Sequence, residues 1–389
     1  MANIRSFSLW VTYLISFLVV GISALALPQP VPGAHLEPRQ LSGLPTGESA
    51  YPIKAVLVST NGNYVKFFFS TNNGKVYMGT WEKAASTSYT FEEIAPANSA
   101  KANTPISAIM FDLSTTTGTE LAWTNTNKQA RVFFYNQAST SILTERVWSV
   151  SGSSNVWSSG SLSGKSISGI TTAGIDAYVY WRNGRYNIKL YYTNGINNIL
   201  ELSFGVSSYV WTGPGTITAA STQTSDAPLS FELLTPFNTG SVVFRNFYHN
   251  SGNVKDVKFD SVNGWSAGTF SVAVSGFLLL SGQLMGPPFS TYVLGIDTLS
   301  PVVTMVYCDT VYDVYTVPYP AGGTATLLTT GTSKLGNSQY VAAAGASNSV
   351  STADAHIFTW GDSFQGFVDF IHYSGDMSVA NSIGLDSAL

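Results

Sequence analysis

The 389-residue chain has a single cysteine, Cys308, so it cannot form an intrachain disulfide bond. Only 10% of its residues are charged and its formal net charge is −4, with no basic stripe, which excludes the electrostatic signature of a nucleic-acid-binding protein. Its 4 histidines are scattered without metal-ligand spacing, and common nucleotide, zinc-protease and serine-hydrolase motifs do not occur. The sequence therefore predicts no metal site.

Only one long hydrophobic run occurs, and it lies at the N-terminus. Arg5 precedes an apolar run from Leu9 to Leu27 that ends in Ala24-Leu25-Ala26. This pattern predicts a signal peptide over residues 1–26 and a secreted or secretory-pathway protein, with no membrane association after its removal. A signal anchor is the alternative, because the run approaches the ~20 residues that span a bilayer. A Pro-rich linker over residues 27–51 follows.

Residues that favour turns and strands are abundant, with 35 Gly, 20 Tyr and 22 Phe residues. A basic residue in a short aromatic and β-branched strand recurs, with an acid about a dozen residues later and then a Trp before Gly. Equivalent positions lie 52 to 65 residues apart at Lys66, Arg131, Lys189, Arg245, Thr304 and about His356. A repeat of this length with several short strands per unit predicts an all-β fold, a single six-bladed β-propeller over residues 52–378. Residues 379–389 are predicted to form a C-terminal tail.

The basic residue and the acid of each repeat form candidate binding pairs. The clearest pair is Arg131 with Glu145, near Trp148 and Trp157, and weaker pairs are Lys189 with Glu201 and Arg245 with Asp256. A guanidinium donates to two oxygens, a carboxylate accepts from hydroxyls, and an indole face packs on C–H groups, so the set suits a sugar. The competing interpretation is a cross-strand ion pair with no ligand. The first repeat has Met78 in place of the acid, and the fifth pairs Thr304 with Thr316.

This motif resembles that of the fungal fucose-specific lectins, six-bladed propellers with pockets between neighbouring blades. The resemblance implies binding of fucosylated glycans, with Arg131, Glu145 and Trp157 as the best preserved ligand residues. Lys189 replaces the family's Arg and Asp256 its Glu, which predicts weaker pockets in the third and fourth blades. Because such lectins gain avidity from several sites, the loss of pockets counts against a lectin.

The leader, the eroded pockets and the apolar blades are also similar to the lectin-derived hetero-Diels-Alderases of fungal tropolone–sesquiterpenoid biosynthesis. This resemblance implies a cofactor-independent pericyclase that joins a polyketide-derived o-quinone methide to a humulene-type sesquiterpene, two small apolar substrates. Proximity and water exclusion would supply most of the acceleration. Candidates for a general acid or hydrogen-bond donor are His249, His356, His372, Tyr307 and Tyr315. The pericyclase is the main hypothesis and the fucose-binding lectin its alternative.

Overall fold

The computed structural model describes the repeat-containing part of the chain with short gaps. The described residues are 39–40, 48, 50, 53–59, 64–82, 89–102, 104–112, 128–138, 143–151, 154–163, 167, 170–182, 185–194, 198–205, 209–221, 229–234, 242–273, 289–294, 301–308, 314–319, 325–329, 341–345, 355–361, 366–373 and 376–384. The predicted signal peptide and most of the predicted linker lie outside them.

The strands form six sheets in this part of the chain. Sheet 1 contains β2 (Ala55–Val58), β3 (Tyr64–Ser70), β4 (Val76–Glu82) and β5 (Tyr89–Ala95). Sheet 2 contains β6 (Ile106–Asp112), β7 (Lys128–Tyr135), β8 (Leu143–Ser151) and β9 (Ser154–Ser159). Sheet 3 contains β10 (Ile170–Arg182), β11 (Arg185–Asn194), β12 (Ile199–Gly205) and β13 (Val210–Thr216).

The remaining sheets repeat this order. Sheet 4 contains β14 (Leu229–Leu233), β15 (Val243–Asn250), β16 (Asn253–Asp260) and β17 (Gly264–Ala273). Sheet 5 contains β18 (Phe289–Leu294), β19 (Val302–Cys308), β20 (Val314–Pro318) and β21 (Thr326–Thr329). Sheet 6 contains β22 (Val341–Gly345), β23 (Ala355–Gly361), β24 (Gly366–Tyr373), β25 (Asp376–Gly384) and the short β1 (Arg39–Gln40).

The six sheets are arranged in a ring. Strands pair antiparallel in sequence order within each sheet, apart from the parallel pair of β1 with β25. The first strand of each sheet contacts the first strand of the next, in the order β2, β6, β10, β14, β18 and β22, and β22 contacts β2. This arrangement confirms the predicted all-β propeller. Within the described residues, no helix has the length and apolarity needed to span a membrane.

Hydrogen bonds join the first strands of successive sheets. The Ser107 hydroxyl accepts from the Ala177 N–H at 2.9 Å, and the Asp176 carboxylate accepts from the Phe231 N–H at 2.7 Å. In the same way, Ser230 accepts from Thr291 at 3.0 Å and Ser290 accepts from Ala343 at 3.1 Å. Small polar side chains near the ring's centre therefore hold neighbouring sheets in register.

Apolar clusters fill the spaces between sheets. Strand alternation directs one face of each sheet toward the preceding sheet and the other toward the following one, so both faces are apolar. The cluster between sheets 2 and 3 contains Phe133, Tyr135, Ile188 and Phe204. Cys308 forms no disulfide and is buried in the cluster that joins sheets 5, 6 and 1.

The ends of the predicted propeller differ from the structure. The prediction ended the sixth blade at residue 378, but β25 continues to Gly384, within the predicted tail. The prediction also placed residues 39–40 in the linker, whereas β1 pairs Arg39 with Ile383 and Gln40 with Gly384. Both errors arise because ring closure uses backbone pairing between distant segments, and the repeat period carries no signal for it.

Candidate functional site

The basic residues of the repeats occupy one structural position. Lys66, Arg131, Lys189, Arg245, Thr304 and His356 lie on β3, β7, β11, β15, β19 and β23, the second strand of each sheet. Three of them contact an aromatic ring of the following sheet: Arg131 contacts Phe204, Arg245 contacts Tyr319, and His356 contacts Trp81. The residues that the repeat pattern aligned in the sequence therefore occupy equivalent structural positions, on the second strand of each of the six sheets.

In sheet 2 the side chains of Arg131 and Glu145 form a buried ion pair. The second carboxylate oxygen of Glu145 accepts from the Leu162 N–H at 2.9 Å and from the indole N–H of Trp211 at 3.1 Å. Arg131 also donates through Nε to Gln129 at 3.0 Å. Burial lowers the pKa of Arg131, opposed by the charge and hydrogen bond of Glu145.

Sheet 3 covers this ion pair. The Phe204 ring lies over the guanidinium of Arg131, with the carbon of that group 4.1 Å from the ring centre. Trp211 packs edge-on against Phe133 while its indole binds Glu145. Arg131 is 3% exposed and Glu145 is fully buried, so a sugar hydroxyl has no access to the carboxylate in this arrangement.

Sheet 4 repeats the closed arrangement. Arg245 pairs with Asp256, whose other oxygen accepts from the Phe270 N–H at 2.8 Å. The Tyr319 ring of sheet 5 covers the guanidinium at 4.4 Å. Asp256 is 3% exposed, so its carboxylate is buried in the interface, while the Arg245 side chain keeps 12% exposure.

The corresponding pair in sheet 3 is accessible. Lys189 donates to Glu201 and, at 2.7 Å, to the Ser203 hydroxyl. The second oxygen of Glu201 accepts from the Tyr191 hydroxyl at 2.7 Å. The Lys189 and Glu201 side chains are 16% and 17% exposed, in contrast to the buried pair of sheet 2.

A glycine opposite each acid explains the difference in access. A Cβ atom added at Gly160 would lie 2.3 Å from the Glu145 carboxyl group, and one at Gly268 would lie 1.8 Å from that of Asp256. In sheets 2 and 4, therefore, the fourth strand closes directly over the carboxylate. Gly215 lies opposite Glu201 in the β12–β13 ladder, but a Cβ there would meet nothing within 4 Å. The fourth strand of sheet 3 leaves its acid uncovered.

A cavity of about 270 Å³ lies beside the sheet 3 pair. Its polar lining comes from Lys189, Ser203, Asn187 and Thr212, and Tyr180, Ile188, Phe204, Gly205 and Val210 complete it. Directly paired residues of an antiparallel ladder share a face, which places Ser203 and Thr212 on the side of Lys189. The cavity thus joins donors and acceptors to an apolar wall.

In the described parts of the other three sheets, the positions equivalent to Lys189 and Glu201 hold no such pair. Lys66 of sheet 1 donates to the Met78 sulfur at 3.5 Å and the Thr80 hydroxyl at 3.3 Å, and burial lowers its pKa to about 8. Thr304 and Thr316 of sheet 5 are both buried. In sheet 6 the fully buried His356 packs against Trp81, with the ring centres 5.4 Å apart.

The structure separates Trp157 from the pair to which the sequence assigned it. Trp157 pairs with Trp148 in the β8–β9 ladder and donates its indole N–H to Glu92 of sheet 1 at 2.9 Å. Trp157 aligns across the ladder with Trp148 and Ala130, so it lies on the opposite face of sheet 2 from Arg131. It therefore belongs to the interface between sheets 1 and 2. The tryptophan that contacts Glu145 is Trp211.

The sequence analysis also missed the aromatic residues that cover the basic positions. An aromatic residue follows the acid position by three residues in five repeats, at Trp81, Trp148, Phe204, Phe259 and Tyr319. An odd offset along a strand reverses the face, so these rings point toward the preceding sheet. This three-residue spacing is visible in the sequence and would have identified Phe204 and Tyr319 as the rings that cover Arg131 and Arg245.

The candidate acid and donor residues of the pericyclase hypothesis lie elsewhere. His249 is buried on β15, and burial lowers its pKa. Tyr307 and Tyr315 stack across β19 and β20 with ring centres 5.2 Å apart, and His372 lies on β24. None of these residues, nor His356, lines the cavity of sheet 3. Among the described residues, no three His, Cys, Asp or Glu side chains gather as metal ligands.

Comparison with solved structures shows that the chain has the β-propeller fold of several lectins. AofleA from Arthrobotrys oligospora matches with a TM-score of 0.65 and 15% identity, over 91% of this chain and 96% of that chain. A variant of Aleuria aurantia lectin in complex with alpha-methyl-L-fucoside matches with a TM-score of 0.63 and 17% identity, over 88% and 96%. BP39L lectin from Burkholderia pseudomallei matches with a TM-score of 0.54 and 12% identity, over 87% and 84%. No family model and no curated protein matches the chain.

Proposed function

We propose that this protein is a carbohydrate-binding propeller for fucose-containing glycans and that its main site is the cavity of sheet 3. The observation that carries the proposal is the accessible pair of Lys189 and Glu201 beside that cavity. Fucoside complexes of Aleuria aurantia lectin, which has the same fold, support the choice of sugar. The sequence favoured the sheet 2 pair instead, because it retains the arginine.

The cavity lining suits a single pyranose ring. Its volume of about 270 Å³ is slightly below the usual range for ligand pockets, ~300 to 1,000 Å³, which suits a small ligand. The Lys189 ammonium donates to sugar oxygens, while the Ser203 and Thr212 hydroxyls both donate and accept. Val210 offers an apolar contact to C–H groups. Glu201 holds Lys189 and Ser203 in place through its own hydrogen bonds.

Replacement of Lys189 by Met tests the site, because it keeps the length of the stem and removes the charge. Hydrogen bonds to charged groups contribute ~1.5 to 3 kcal/mol, so Lys189→Met should weaken fucoside binding about 10- to 100-fold. Isothermal titration calorimetry with methyl α-L-fucoside measures this loss. Lys258→Met, a lysine of β16 outside the cavity, serves as the matched control and should bind as the wild type does.

Two results would contradict the proposal. If the wild-type protein were silent on a fucosylated-glycan array and in calorimetry, the fucose-binding function would be wrong. If it bound and Lys189→Met bound equally well, the function would stand but the site would lie elsewhere. The sealed pairs of sheets 2 and 4 would then need an opening that the described arrangement lacks.

The pericyclase hypothesis gains no specific support from the described residues. His249 and His356 are buried within interfaces, and the cavity is lined by other side chains. Incubation of the protein with an o-quinone methide precursor and humulene separates the two functions. An adduct formed at the rate and stereochemistry of the protein-free reaction leaves the lectin as the function.

A further inference from the structure

The acid of each pair has hydrogen-bond donors for both of its oxygens, and sheet 3 supplies them differently from sheets 2 and 4. In sheets 2 and 4 one oxygen binds the basic residue, and the other accepts from a backbone N–H of Leu162 or Phe270, two residues after the glycine opposite the acid. The residue at the same offset in sheet 3 is Ile217, whose N–H donates to the Ile199 carbonyl at 3.0 Å. The backbone donor that binds the acid in the other two sheets is therefore used within the ladder of sheet 3.

A tyrosine hydroxyl takes the place of this backbone donor. Tyr191 donates to the second oxygen of Glu201 at 2.7 Å. The first oxygen of Glu201 accepts from Lys189 and, at 3.2 Å, from the Ser203 hydroxyl. Tyr191 lies two residues after the basic position of its repeat, and the equivalent residues of the other repeats have no hydroxyl group: they are Phe68, Phe133, Phe247, Val306 and Phe358. The repeat that carries this hydroxyl is also the one with the accessible ion pair.

Neighbouring rings hold the Tyr191 hydroxyl in place. The hydroxyl of Tyr178, the ladder partner of Lys189, lies 3.2 Å from that of Tyr191 and can donate to it. From sheet 4 the Phe231 ring stacks on the Tyr191 ring, with the ring centres 3.9 Å apart. Burial, with smaller effects of Tyr178 and Glu201, raises the pKa of Tyr191 well above its usual value. The hydroxyl therefore keeps its proton and remains a donor to the carboxylate.

We propose that Tyr191 is a positioning residue of the sheet 3 site: its hydroxyl holds Glu201 in place of the fourth strand, so the pair stays open to a ligand. Tyr191 does not line the cavity, so it acts on a bound sugar only through Glu201 and Lys189. Hydrogen bonds to charged groups are stronger than those between neutral groups, so loss of this hydroxyl should loosen the carboxylate and the ammonium that it holds. The effect on sugar binding rests on the proposed function, whereas the hold on Glu201 does not.

The substitution Tyr191→Phe tests this role, because it removes the hydroxyl and keeps the ring. Calorimetry with methyl α-L-fucoside should show binding about 3- to 10-fold weaker than in the wild type, as expected for the loss of one hydrogen bond that orders the site. Tyr192→Phe is the matched control. Tyr192 is also fully buried, but it packs in the cluster between sheets 2 and 3 and lies outside the cavity. This control should bind the sugar as the wild type does.

A second measurement follows Lys189 without any sugar. Acetic anhydride acylates the neutral form of a lysine amine, and a neighbouring carboxylate favours the charged form. Once Glu201 is loosened, acylation of Lys189 should become about two- to fivefold faster in Tyr191→Phe, as measured by peptide mass spectrometry. Lys258 on β16 is the internal reference. A general loss of structure would speed the acylation of both lysines, whereas the positioning role speeds that of Lys189 alone.

The outcomes separate the role of Tyr191 from the function of the site. Faster acylation of Lys189 alone, together with weaker fucoside binding, is the expected result. Unchanged acylation of Lys189 in Tyr191→Phe would overturn the positioning role, whether or not the sugar binds. Equally faster acylation of Lys189 and Lys258 would also overturn it. If Lys189 alone reacts faster but the wild type binds no fucoside, Tyr191 positions the pair and the proposed function fails.

Discussion

Arg131 and Glu145 carry opposite charges inside an interface that excludes water. Their mutual bond, the Leu162 N–H and the Trp211 indole satisfy the Glu145 carboxylate without a ligand. The pair therefore fixes the contact of sheet 2 with sheet 3. In this arrangement the pair that the sequence predicted to bind a sugar is a cross-strand ion pair of sheet 2 whose acid also contacts Trp211 of sheet 3.

Removal of one partner from this ion pair should be costly. Arg131→Met leaves a buried carboxylate without its cation, so we expect the free energy of unfolding to fall by about 3 to 5 kcal/mol. The double variant Arg131→Met/Glu145→Gln should recover part of that loss, because no charge remains buried. Urea unfolding of the two variants and the wild type measures both effects. A loss below about 1 kcal/mol in the single variant would show that the pair is solvated.

At the residue scale, the sequence predicted the basic and acidic positions but not their accessibility. The spacing of Arg131 to Glu145 and of Lys189 to Glu201 identified equivalent pairs on neighbouring strands. Whether a pair is open depends on Phe204 and on the path of the fourth strand, which belong to other parts of the chain. Single-strand periodicity contains no information about that coverage.

In sheets 2, 3 and 4 a glycine in or just after the fourth strand lies opposite the acid, and the surroundings of this glycine differ between the sheets. Gly160 and Gly268 touch the carboxylates of Glu145 and Asp256, whereas Gly215 faces open space. The backbone N–H groups two residues later, at Leu162 and Phe270, then bind those carboxylates at 2.9 and 2.8 Å. The path of the fourth strand at this glycine thus determines whether the acid is covered, as in sheets 2 and 4, or left open, as in sheet 3.

A matched series of alanine substitutions tests this interpretation. Gly160→Ala places a methyl group against the Glu145 carboxyl group, so we expect it to lower the free energy of unfolding by about 1 to 3 kcal/mol. Gly268→Ala should behave in the same way because of its contact with Asp256. Gly215→Ala should change stability by less than about 0.5 kcal/mol. Thermal unfolding of the three variants under one set of conditions gives the comparison, and equal losses at all three positions would contradict it.

The strands themselves were predictable, because a short run of aromatic and β-branched residues is a local pattern. The β15–β16 hairpin, with Arg245 opposite Lys258, follows the alternation of the Val243–Asn250 segment. The join between sheet 6 and β1 was not predictable, since it depends on parallel pairing across more than 300 residues of the chain. Local patterns therefore define blades, and closure is a property of the whole ring.

At the scale of the whole molecule, two acids lie close to the ring's centre. Folding removes water from Asp176 on β10 and Glu232 on β14. This burial raises the pKa of Asp176 to about 6 and that of Glu232 to about 8. The hydrogen bond of Glu232 to Thr291 opposes this shift and the charge of Asp176 adds to it. Asp176 binds Ser107 of sheet 2 and the Phe231 N–H of sheet 4, so its ionisation affects three successive sheets.

These shifts make the contribution of the two carboxyl groups to stability larger in acid than in base. Each group binds its proton more tightly in the folded protein than in the unfolded chain, so this contribution is full below about pH 4 and falls as pH rises through the raised pKa values of about 6 and about 8. Glu232→Gln removes this contribution and should raise the free energy of unfolding at pH 8 by about 2 kcal/mol, with little change at pH 4. Glu93→Gln, a substitution of an exposed carboxylate, is the control. Chemical unfolding at several pH values checks the slope, and parallel curves for Glu232→Gln and the wild type would contradict it.

The parallel pair of β1 and β25 also has a mechanical consequence. Arg39 lies beside Ile383 and Gln40 beside Gly384, so segments from near the two ends of the chain run side by side in sheet 6. Tension applied from the N-terminal side of β1 and the C-terminal side of β25 would load their hydrogen bonds in shear, all at once. A strand pair loaded in this way resists extension better than one whose hydrogen bonds break one at a time. The pairing of β1 with β25 would therefore also carry the mechanical load.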